Sequence, residues 1–321
     1  MKNILITGGL GHIGSKLIEL INIKEFKKII VIDNLLTQRY PSLYSSKKNK
    51  FEFYNYSILD PKVEKLFLNV DVVIHLAAIV NAANSFDNKD IVKKVNFTGT
   101  KKIIKYCSKY NCKLIFPSTT SVYGVQKSLV DEECSIEDLK CQSPYAEYKL
   151  KAELYLKKYS RKKNIKFVIL RLGTIYGISI GMRFQTAVNK FCWLAALNQP
   201  ITVWRTAVNQ KRPYLGINDA VRCFQFIIRK DLFNNSVYNV VSSNNTVSEI
   251  LDLIRKNKKN IKIKLVKSRI MNQLSYEVSS NKIKKIGLRF QDDIKRGIND
   301  TLKPLEDINN EWFNYCTSFE R

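Results

Sequence analysis

The chain has 321 residues, of which 45% are hydrophobic, and a formal net charge of +26 at pH 7. This length suffices for two domains with sizeable cores, and no apolar run reaches the ~20 residues that a membrane-spanning helix needs. The lysines are scattered over predicted polar faces and loops, without a basic tail. The charge therefore predicts a solvated surface, and we expect neither nucleic acid nor a membrane as a partner.

Cysteine and histidine usage limits the chemistry open to the chain. The seven cysteines form no C-x-x-C pair, and the two histidines are His12 and His75. Such a set predicts no zinc site, so we expect no metal. The chain enters a predicted strand within its first residues, so we expect no signal peptide. The expected lack of a signal peptide and the odd number of cysteines together predict reduced thiols in a cytoplasmic protein.

The first predicted strand runs directly into a glycine-rich loop. The run Ile4–Ile6 precedes Gly8, Gly11 and Gly14, which have the spacing G-x-x-G-x-x-G and are followed by a helical pattern. Only glycine lets the backbone turn so tightly and still approach a diphosphate closely. Asp33 ends a second apolar strand ~20 residues further on, where an acidic residue can bind ribose hydroxyls. These features predict a dinucleotide-binding site.

Strand and helix patterns alternate through the first half of the chain. Apolar runs typical of strands buried on both faces lie at 3–6, 29–32, 72–76, 113–117 and 167–171. Amphipathic stretches predict helices at 15–25, 91–110 and 145–163. This alternation predicts an α/β fold with a doubly wound parallel sheet, the Rossmann arrangement.

The pattern becomes irregular after residue 177. Helices are predicted at about 184–198, 218–230 and 246–257, and short strands at 201–204 and 237–241. We therefore expect a dinucleotide-binding domain at 1–176 and a smaller, mixed α/β substrate domain at 177–321, with some segments of the second returning to the first. The cleft between them is expected to hold the substrate.

Hydroxyl side chains follow the fourth apolar run, and a Tyr-x-x-x-Lys pair comes later. Ser118, Thr119 and Thr120 stand at the carboxyl end of a predicted parallel strand, where open α/β sheets bind ligands. Tyr145 and Lys149 are four residues apart, so they share one face of a helix. A free tyrosine has a pKa of ~10, so a positive charge must lower that pKa before Tyr145 can act as a base.

Taken in order, these motifs resemble those of the extended short-chain dehydrogenases/reductases, in the NAD-dependent sugar-nucleotide epimerase/dehydratase family. The similarity is greatest to members like UDP-glucose 4-epimerase. The matching segments are Thr7–Ser15, Asp33–Leu35, His75–Ala78, Val95–Thr100, Ser118–Gly124, Tyr145–Lys149, Arg171–Gly177, Lys211–Tyr214 and Asn218–Ala220.

The resemblance implies NAD as the cofactor and gives roles to individual positions. Tyr145 would be the base, Lys149 would lower its pKa, and Thr119 would be a hydroxyl relay, an assignment that its hydroxyl neighbours leave open by one position. Asp33 favours NAD over NADP because it repels a 2′-phosphate, although Arg39 nearby leaves some room for NADP. The expected cofactor-binding residues are Gly8, Gly11, His12, Ile13, Gly14, Asp33, Asn34, Ser57, Ile58, Leu76, Ala77, Ala78, Asn96, Tyr145 and Lys149.

Substrate-binding residues follow from the same resemblance and from the chemistry of phosphate recognition. Arg212 and Arg269 are the candidates for a diphosphate, because a guanidinium fork matches phosphate oxygens. Thr174 stands where many members have an asparagine that contacts the diphosphate, and Arg183 is expected in the nucleotide pocket. The full expected set is Ser118, Thr119, Thr120, Thr174, Arg183, Arg212 and Arg269.

The two residues after Thr119 bear on the reaction. Members that dehydrate sugars usually carry an acid where this chain has Thr120 and Ser121. Neither side chain is a carboxylic acid, and the elimination of water requires such a general acid/base. The resemblance therefore implies an epimerase that forms a transient 4-keto sugar on a nucleotide-diphosphate sugar, and it also implies a homodimer. A related reductase, dehydrogenase or dehydratase stays open, as does a non-catalytic protein that senses NAD or binds nucleic acid.

Overall fold

A computed structural model describes residues 1–45, 51–82, 84–124, 129–267 and 275–305 of the chain. The strands of these ranges are, in chain order, β1 (Lys2–Thr7), β2 (Phe26–Asp33), β3 (Phe51–Asn55), β4 (Val72–His75), β5 (Lys113–Thr119), β6 (Leu129–Val130), β7 (Phe167–Leu172), β8 (Thr174–Tyr176), β9 (Ile201–Trp204), β10 (Lys211–Gly216), β11 (Val237–Val240), β12 (Ser243–Thr246), β13 (Ile263–Val266) and β14 (Glu277–Val278).

Helices connect most of these strands. The α-helices of the described ranges are α1 (His12–Leu20), α2 (Lys89–Val92), α3 (Thr100–Lys109), α4 (Pro144–Ser160), α5 (Ala187–Ala196), α6 (Ile217–Arg229), α7 (Val247–Asn257), α8 (Asn281–Lys285) and α9 (Ile294–Leu302). A π-helical segment (Lys93–Gly99) joins α2 to α3, and 3-10 helices lie at Ile23–Glu25, Tyr40–Ser45, Pro61–Phe67, Thr120–Val122, Arg205–Ala207 and Lys303–Leu305. Within the described part of the chain, no helix is long and apolar enough to span a bilayer.

Seven strands form one parallel sheet in the order β3-β2-β1-β4-β5-β7-β11. The chain moves outward from β1 through β2 to β3, then returns to pair β4 with the other side of β1. Such a reversal opens a crevice at the carboxyl ends of β1 and β4, where sheets of this kind bind ligands. The predicted doubly wound parallel sheet is confirmed, and each of the five apolar runs of the first half is a strand.

Successive side chains of each strand point to opposite faces of the sheet, and a layer of helices covers each face. Ile4 and Ile6 of β1 belong to a buried cluster that includes Leu17 of α1 and Phe224 of α6. Leu5 lies on the opposite face, in a cluster that α3 and α4 cover. Because both faces are buried, the central strands are continuous apolar runs instead of alternating ones.

The C-terminal half adds to the large sheet and builds smaller ones. β11 pairs in parallel with β7 at the sheet edge, and α6 packs against α1. Further strands form a mixed three-stranded sheet, β12-β10-β8, and two pairs, β13-β9 and β14-β6. A separate core joins α5, α7 and α9. The expected smaller, mixed α/β part is therefore confirmed, while the domain boundary at residue 176 stays a prediction.

Candidate active site

The glycine-rich loop connects the end of β1 to the start of α1. Gly8 has a φ of +66°, and a Cβ at this position would lie 2.6 Å from backbone atoms of Ala77, which follows β4. Glycine therefore allows the loop to lie directly against the neighbouring strand end. The helix that begins at His12 directs its positive end at this loop, which suits a phosphate group. The residues present thus fit the diphosphate of a dinucleotide.

Asp33 lies at the end of β2 and is fixed by the backbone around it. Its Oδ2 accepts a hydrogen bond from the Leu10 amide at 3.1 Å, and its Oδ1 accepts one from the Leu35 amide at 2.9 Å. Burial lowers the pKa of the nearby Arg39, and the charge of Asp33 opposes that shift. The negatively charged Asp33 and the positively charged Arg39 therefore lie close together at the position expected to contact a ribose.

A cavity of about 840 Å³ extends from the glycine-rich loop to the C-terminal half. It brings together most of the residues that the sequence singled out, from all along the chain. These are Gly8, Gly11, His12, Ile13, Gly14, Asp33, Asn34, Ser57, Ile58, Leu76, Ala77, Ala78, Ser118, Thr119, Thr120, Tyr145, Lys149, Thr174, Arg183 and Arg212.

Two expected site residues are not among those that line the cavity. Asn96 is buried, and its amide group donates to the Ile79 carbonyl at 2.7 Å and accepts from the Ile79 amide at 2.8 Å. Since Ile79 lines the cavity, Asn96 holds a wall of the site in place without facing it. Arg269 lies outside the described residues.

Helix α4 presents Tyr145 and Lys149 to the cavity. Ser143 caps the helix by accepting a hydrogen bond from the Ala146 amide at 3.2 Å, and proline occupies the first helical position. Proline there lacks the N–H that would go unpaired and has a helical φ already. Thr119, at the end of β5, accepts from the Ser121 amide at 3.1 Å, which turns the chain at the strand end.

The protein environment alone does not lower the pKa of Tyr145. Burial raises this pKa, while the positive charge of Arg183 and a hydrogen bond with Thr119 act against the rise. Lys149 Nζ donates to the Pro117 carbonyl at 2.8 Å and lies 4.9 Å from the centre of the Phe116 ring. The expected effect of Lys149 on the pKa of Tyr145 stays a prediction.

Lys149 is itself a buried cation beside a buried ion pair. Burial lowers its pKa to about 8, and the charge of Glu153, one helical turn later, opposes that shift. Glu153 Oε2 accepts from Arg171 Nη2 at 2.8 Å, with 0% of the Glu153 side chain and 4% of the Arg171 side chain exposed. Ser118 Oγ donates to the same carboxylate. The pair therefore ties α4 and β7 to the end of β5, where Thr119 lies.

Both histidines are buried and neutral. His75 Nε2 lies 3.0 Å from Thr100 Oγ1, and its Nδ1 lies 2.7 Å from Thr7 Oγ1. Thr100 donates its own hydrogen to a carbonyl, so His75 Nε2 must be the donor and Nδ1 the acceptor. Burial lowers the pKa of His75 to about 3 and that of His12 to about 4. These contacts hold the His75 ring in the core between β1 and the start of α3.

One lining residue that the sequence did not single out is Tyr276, in the C-terminal half. It has 8% of its surface exposed, and burial raises the pKa of its phenol, while hydrogen bonds with Thr120 and Ser121 oppose the rise. The Arg212 guanidinium lies 5.4 Å from the centre of its ring. No motif surrounds this tyrosine, so nothing in the sequence could have identified it.

The chain matches the family model described as "NAD dependent epimerase/dehydratase family" over residues 4–240. It is 34% identical over 260 residues to a dTDP-D-glucose 4,6-dehydratase of Dictyostelium discoideum, covering 75% of this chain and 58% of that protein's length. It is 32% identical over 262 residues to a putative UDP-glucose 4-epimerase of Methanocaldococcus jannaschii, covering 78% of this chain and 81% of the relative.

A solved structure shares the whole fold. The UDP-glucuronic acid 4-epimerase of Bacillus cereus, in complex with UDP-glucuronic acid and NAD, superposes with a TM-score of 0.84 at 24% identity, covering 95% of this chain and 99% of the other. At this identity the match supports the fold alone. The match to the family model covers well over half of the chain and includes the glycine-rich loop and the Tyr-x-x-x-Lys pair. The chain therefore belongs to the NAD-dependent epimerase/dehydratase family.

Proposed function

We propose that this chain is a sugar-nucleotide epimerase that works through a transient 4-keto sugar. One observation carries the choice among the activities of the family. Of the described residues that line the cavity, Asp33 is the only carboxylate, and it belongs to the dinucleotide end. The two positions after Thr119 hold Thr120 and Ser121. An epimerase needs no carboxylic acid there, whereas elimination of water does.

Three side chains would move the proton while the sugar is oxidised. When bound, NAD would supply the acceptor, and then the donor, of the hydride at the sugar carbon. Tyr145 would accept the proton of the sugar hydroxyl, and Thr119, which lines the same cavity, would relay it. Lys149 would supply a buried positive charge that favours the phenolate. Because burial raises the pKa of Tyr145, the positive charge of the oxidised nicotinamide would be needed as well to favour the phenolate.

The substrate would occupy the part of the cavity between the carboxyl end of β5 and the C-terminal half. Arg212 lies there with its guanidinium over Tyr276, in reach of a diphosphate group. Ser118, Thr120 and Thr174 also line this part and offer hydroxyl groups to a sugar or phosphate. The B. cereus and M. jannaschii relatives carry names of UDP-sugar epimerases, which supports a nucleotide-diphosphate sugar as the substrate class.

A dehydratase, or a reductase or dehydrogenase, is the second candidate. The 34% identity to a dTDP-D-glucose 4,6-dehydratase favours it. The absence of a carboxylate near Thr119 among the described lining residues argues against elimination, and it does not argue against simple oxidation or reduction.

A panel of substrates separates these candidates. Purified protein is incubated with NAD and with UDP-, dTDP-, GDP- and CDP-sugars, and the products are followed by proton NMR. An epimerase gives a new sugar nucleotide of equal mass without net NADH. A product of altered mass, or stoichiometric NADH, would favour the second candidate. No product from any of the sugar nucleotides, together with a salt-dependent shift of nucleic acid on a gel, would favour a binding protein instead.

The assembly and the division of the chain are part of the same proposal. We expect a homodimer formed through the helical faces at 91–110 and 145–163, in the cytoplasm, with the substrate domain beginning at residue 177. Light scattering that gives a mass near 37.2 kDa would mean a monomer and would remove the dimer from the proposal.

A further inference from the structure

Two side chains of α4, one helical turn apart, hold two successive residues of β5. Lys149 Nζ donates to the Pro117 carbonyl at 2.8 Å, and Ser118 Oγ donates to the Glu153 carboxylate. Residues four apart on a helix share one face, so Lys149 and Glu153 both lie on the side of α4 that meets this strand. The strand end that carries Thr119 is therefore attached to α4 at two neighbouring points.

Arg171 of β7 fixes the orientation of the Glu153 carboxylate. In the sheet Arg171 pairs with Ser118, so both reach Glu153 from neighbouring strands. Arg171 Nε donates to both carboxylate oxygens at 3.2 Å, and its Nη2 donates to Oε2 at 2.8 Å. The guanidinium lies 4.9 Å from the centre of the buried Tyr123 ring. Because an arginine keeps its charge in proteins, this is a buried ion pair of fixed geometry.

The charges of this buried group do not cancel. Glu153 neutralises Arg171, so the excess positive charge rests on Lys149, which is also buried. Tyr145 precedes Lys149 by one helical turn, and both line the cavity. A phenolate at Tyr145 would balance the excess charge, but only while Lys149 keeps its proton. Burial works against that proton by lowering the pKa of Lys149 to about 8, and the charge of Glu153 opposes this shift.

The other titratable groups that face Lys149 or Glu153 are uncharged or cationic. His75 of β4 is neutral, because burial and the charge of Lys149 lower its pKa to about 3. Burial raises the pKa of the Cys141 thiol to about 12, so it is neutral as well. Lys157 of α4 lies one turn beyond Glu153, whose charge opposes the lowering of its pKa by burial. Glu153 thus supplies the negative charge for the cations around it.

The elements packed on the other sides of α4 direct their charges elsewhere. Lys89 and Asp90 of α2 and Lys93 and Lys94 of the π-helical segment are exposed. In α3, Lys101 Nζ lies over the Tyr155 ring and Lys102 donates to the Leu59 carbonyl. The carboxyl end of β5 and the 3-10 helix after it carry no titratable side chain among Phe116–Val122.

We propose that Glu153 is a positioning residue for Lys149, which it keeps positively charged in the buried site, and that Arg171 and Ser118 hold its carboxylate in place. Without this carboxylate, Lys149 would avoid the cost of burial by releasing its proton. The phenolate of Tyr145 would then lose a cation that favours it. This benefit to catalysis rests on the proposed roles of Tyr145 and Lys149, whereas the charge of Lys149 does not.

The pKa of the Lys149 amine can be measured without turnover. Lys149 lines the cavity, so a small acylating reagent reaches it in the full chain before NAD is added. Mass spectrometry of the labelled peptide at a series of pH values gives the pKa. The variants are Glu153→Gln, Arg171→Met and the double variant, which leaves no unpaired charge and keeps the test open if Glu153→Gln unfolds.

Two controls lie on the same helix. Lys151, with 49% of its side chain exposed, is labelled in the same experiment and serves as an internal reference. Glu147→Gln removes the acid that pairs with Lys151, at the same four-residue spacing but on the exposed side of α4. We expect this variant to leave the pKa of Lys149 unchanged.

The two partners of the ion pair should shift the pKa of Lys149 in opposite directions. We expect it to fall by about one unit in Glu153→Gln and in the double variant, because a neighbouring opposite charge is lost. Arg171→Met should raise it, because the charge of Glu153 is no longer shared with Arg171. A merely structural pair would give shifts of the same sign, since either single variant breaks it.

Two outcomes would overturn the role of Glu153. One is an unchanged pKa of Lys149 in the double variant, and the other is an equal fall in Arg171→Met and Glu153→Gln. Failure of the proposed function gives a different result. The pKa of Lys149 would then shift as expected, while the pH profile of turnover on the substrate found by the panel would not move with it. Glu153 would still hold the charge of Lys149, but that charge would not serve catalysis.

Discussion

The buried ion pair behind the candidate active site gives the sharpest prediction about stability. In Glu153→Gln the side chain keeps its size but loses its charge, so the Arg171 guanidinium stays buried without a counter-ion. Both partners are nearly inaccessible, with 0% of the Glu153 and 4% of the Arg171 side chain exposed. Ser118 also loses a charged acceptor at the end of β5.

The size of the effect follows from the cost of an unpaired buried charge. Removing one partner of a buried pair destabilises a protein by about 3–5 kcal/mol, most of it from the charge left behind. Arg171→Met should therefore cost a similar amount, since it leaves Glu153 unpaired. The double variant should lose much less than the sum, because no unpaired charge remains.

Urea unfolding of the four proteins measures these values directly. The matched control is Glu25→Gln, which breaks an exposed pair whose Arg229 and Glu25 side chains are 55% and 34% exposed. An exposed pair contributes about 0–1 kcal/mol. If Glu153→Gln lost no more free energy of unfolding than the control, the account of this pair would be refuted.

Three further predictions concern the site. Tyr145→Phe should keep NAD affinity, measured by calorimetry, and lose nearly all turnover; full activity would rule out Tyr145 as the base. Asp33→Ala should weaken NAD binding by about tenfold, because it removes the charged acceptor proposed for the ribose, and unchanged affinity would point to another residue. Burial lowers the pKa of His12 to about 4 and that of His75 to about 3, below the unfolded value of 6.5. Between pH 6.5 and about 4 the unfolded chain therefore binds more protons, so stability falls as the pH falls, by about 2 kcal/mol for each histidine at pH 5. Urea unfolding at pH 7.5 and 5 checks this, and His75→Gln should remove about half of the difference; equal stability at both pH values would be the contrary result.

Local patterns sufficed for the parts of the fold that are buried on both faces. The strand at 113–117 and the helix at 218–230 were predictable because burial and amphipathic spacing act within a few residues. Edge strand β3 was missed because its residues are only half buried, so it has no continuous apolar run. The short strands β8, β12 and β14 depend on pairing partners that are distant in the chain.

The candidate site shows the same division between local and long-range information. Glu153 could have been found, since it lies one helical turn after Lys149 and must share its face. The bond between His12 and Gly177 joins residues 165 positions apart, which no local pattern encodes. Tyr276 reaches the site for the same reason, through the packing of the C-terminal half.

The central claim is that the hydride leaves a sugar carbon and returns to the same carbon. A substrate deuterated at C4 tests this claim most directly. The product panel identifies the sugar nucleotide, and mass spectrometry with deuterium NMR then locates the label. The epimerase account predicts that the deuterium stays at C4 of both epimers, with none released to water. Deuterium found at C6, or left on the nicotinamide, would contradict it and indicate a dehydratase or a dehydrogenase.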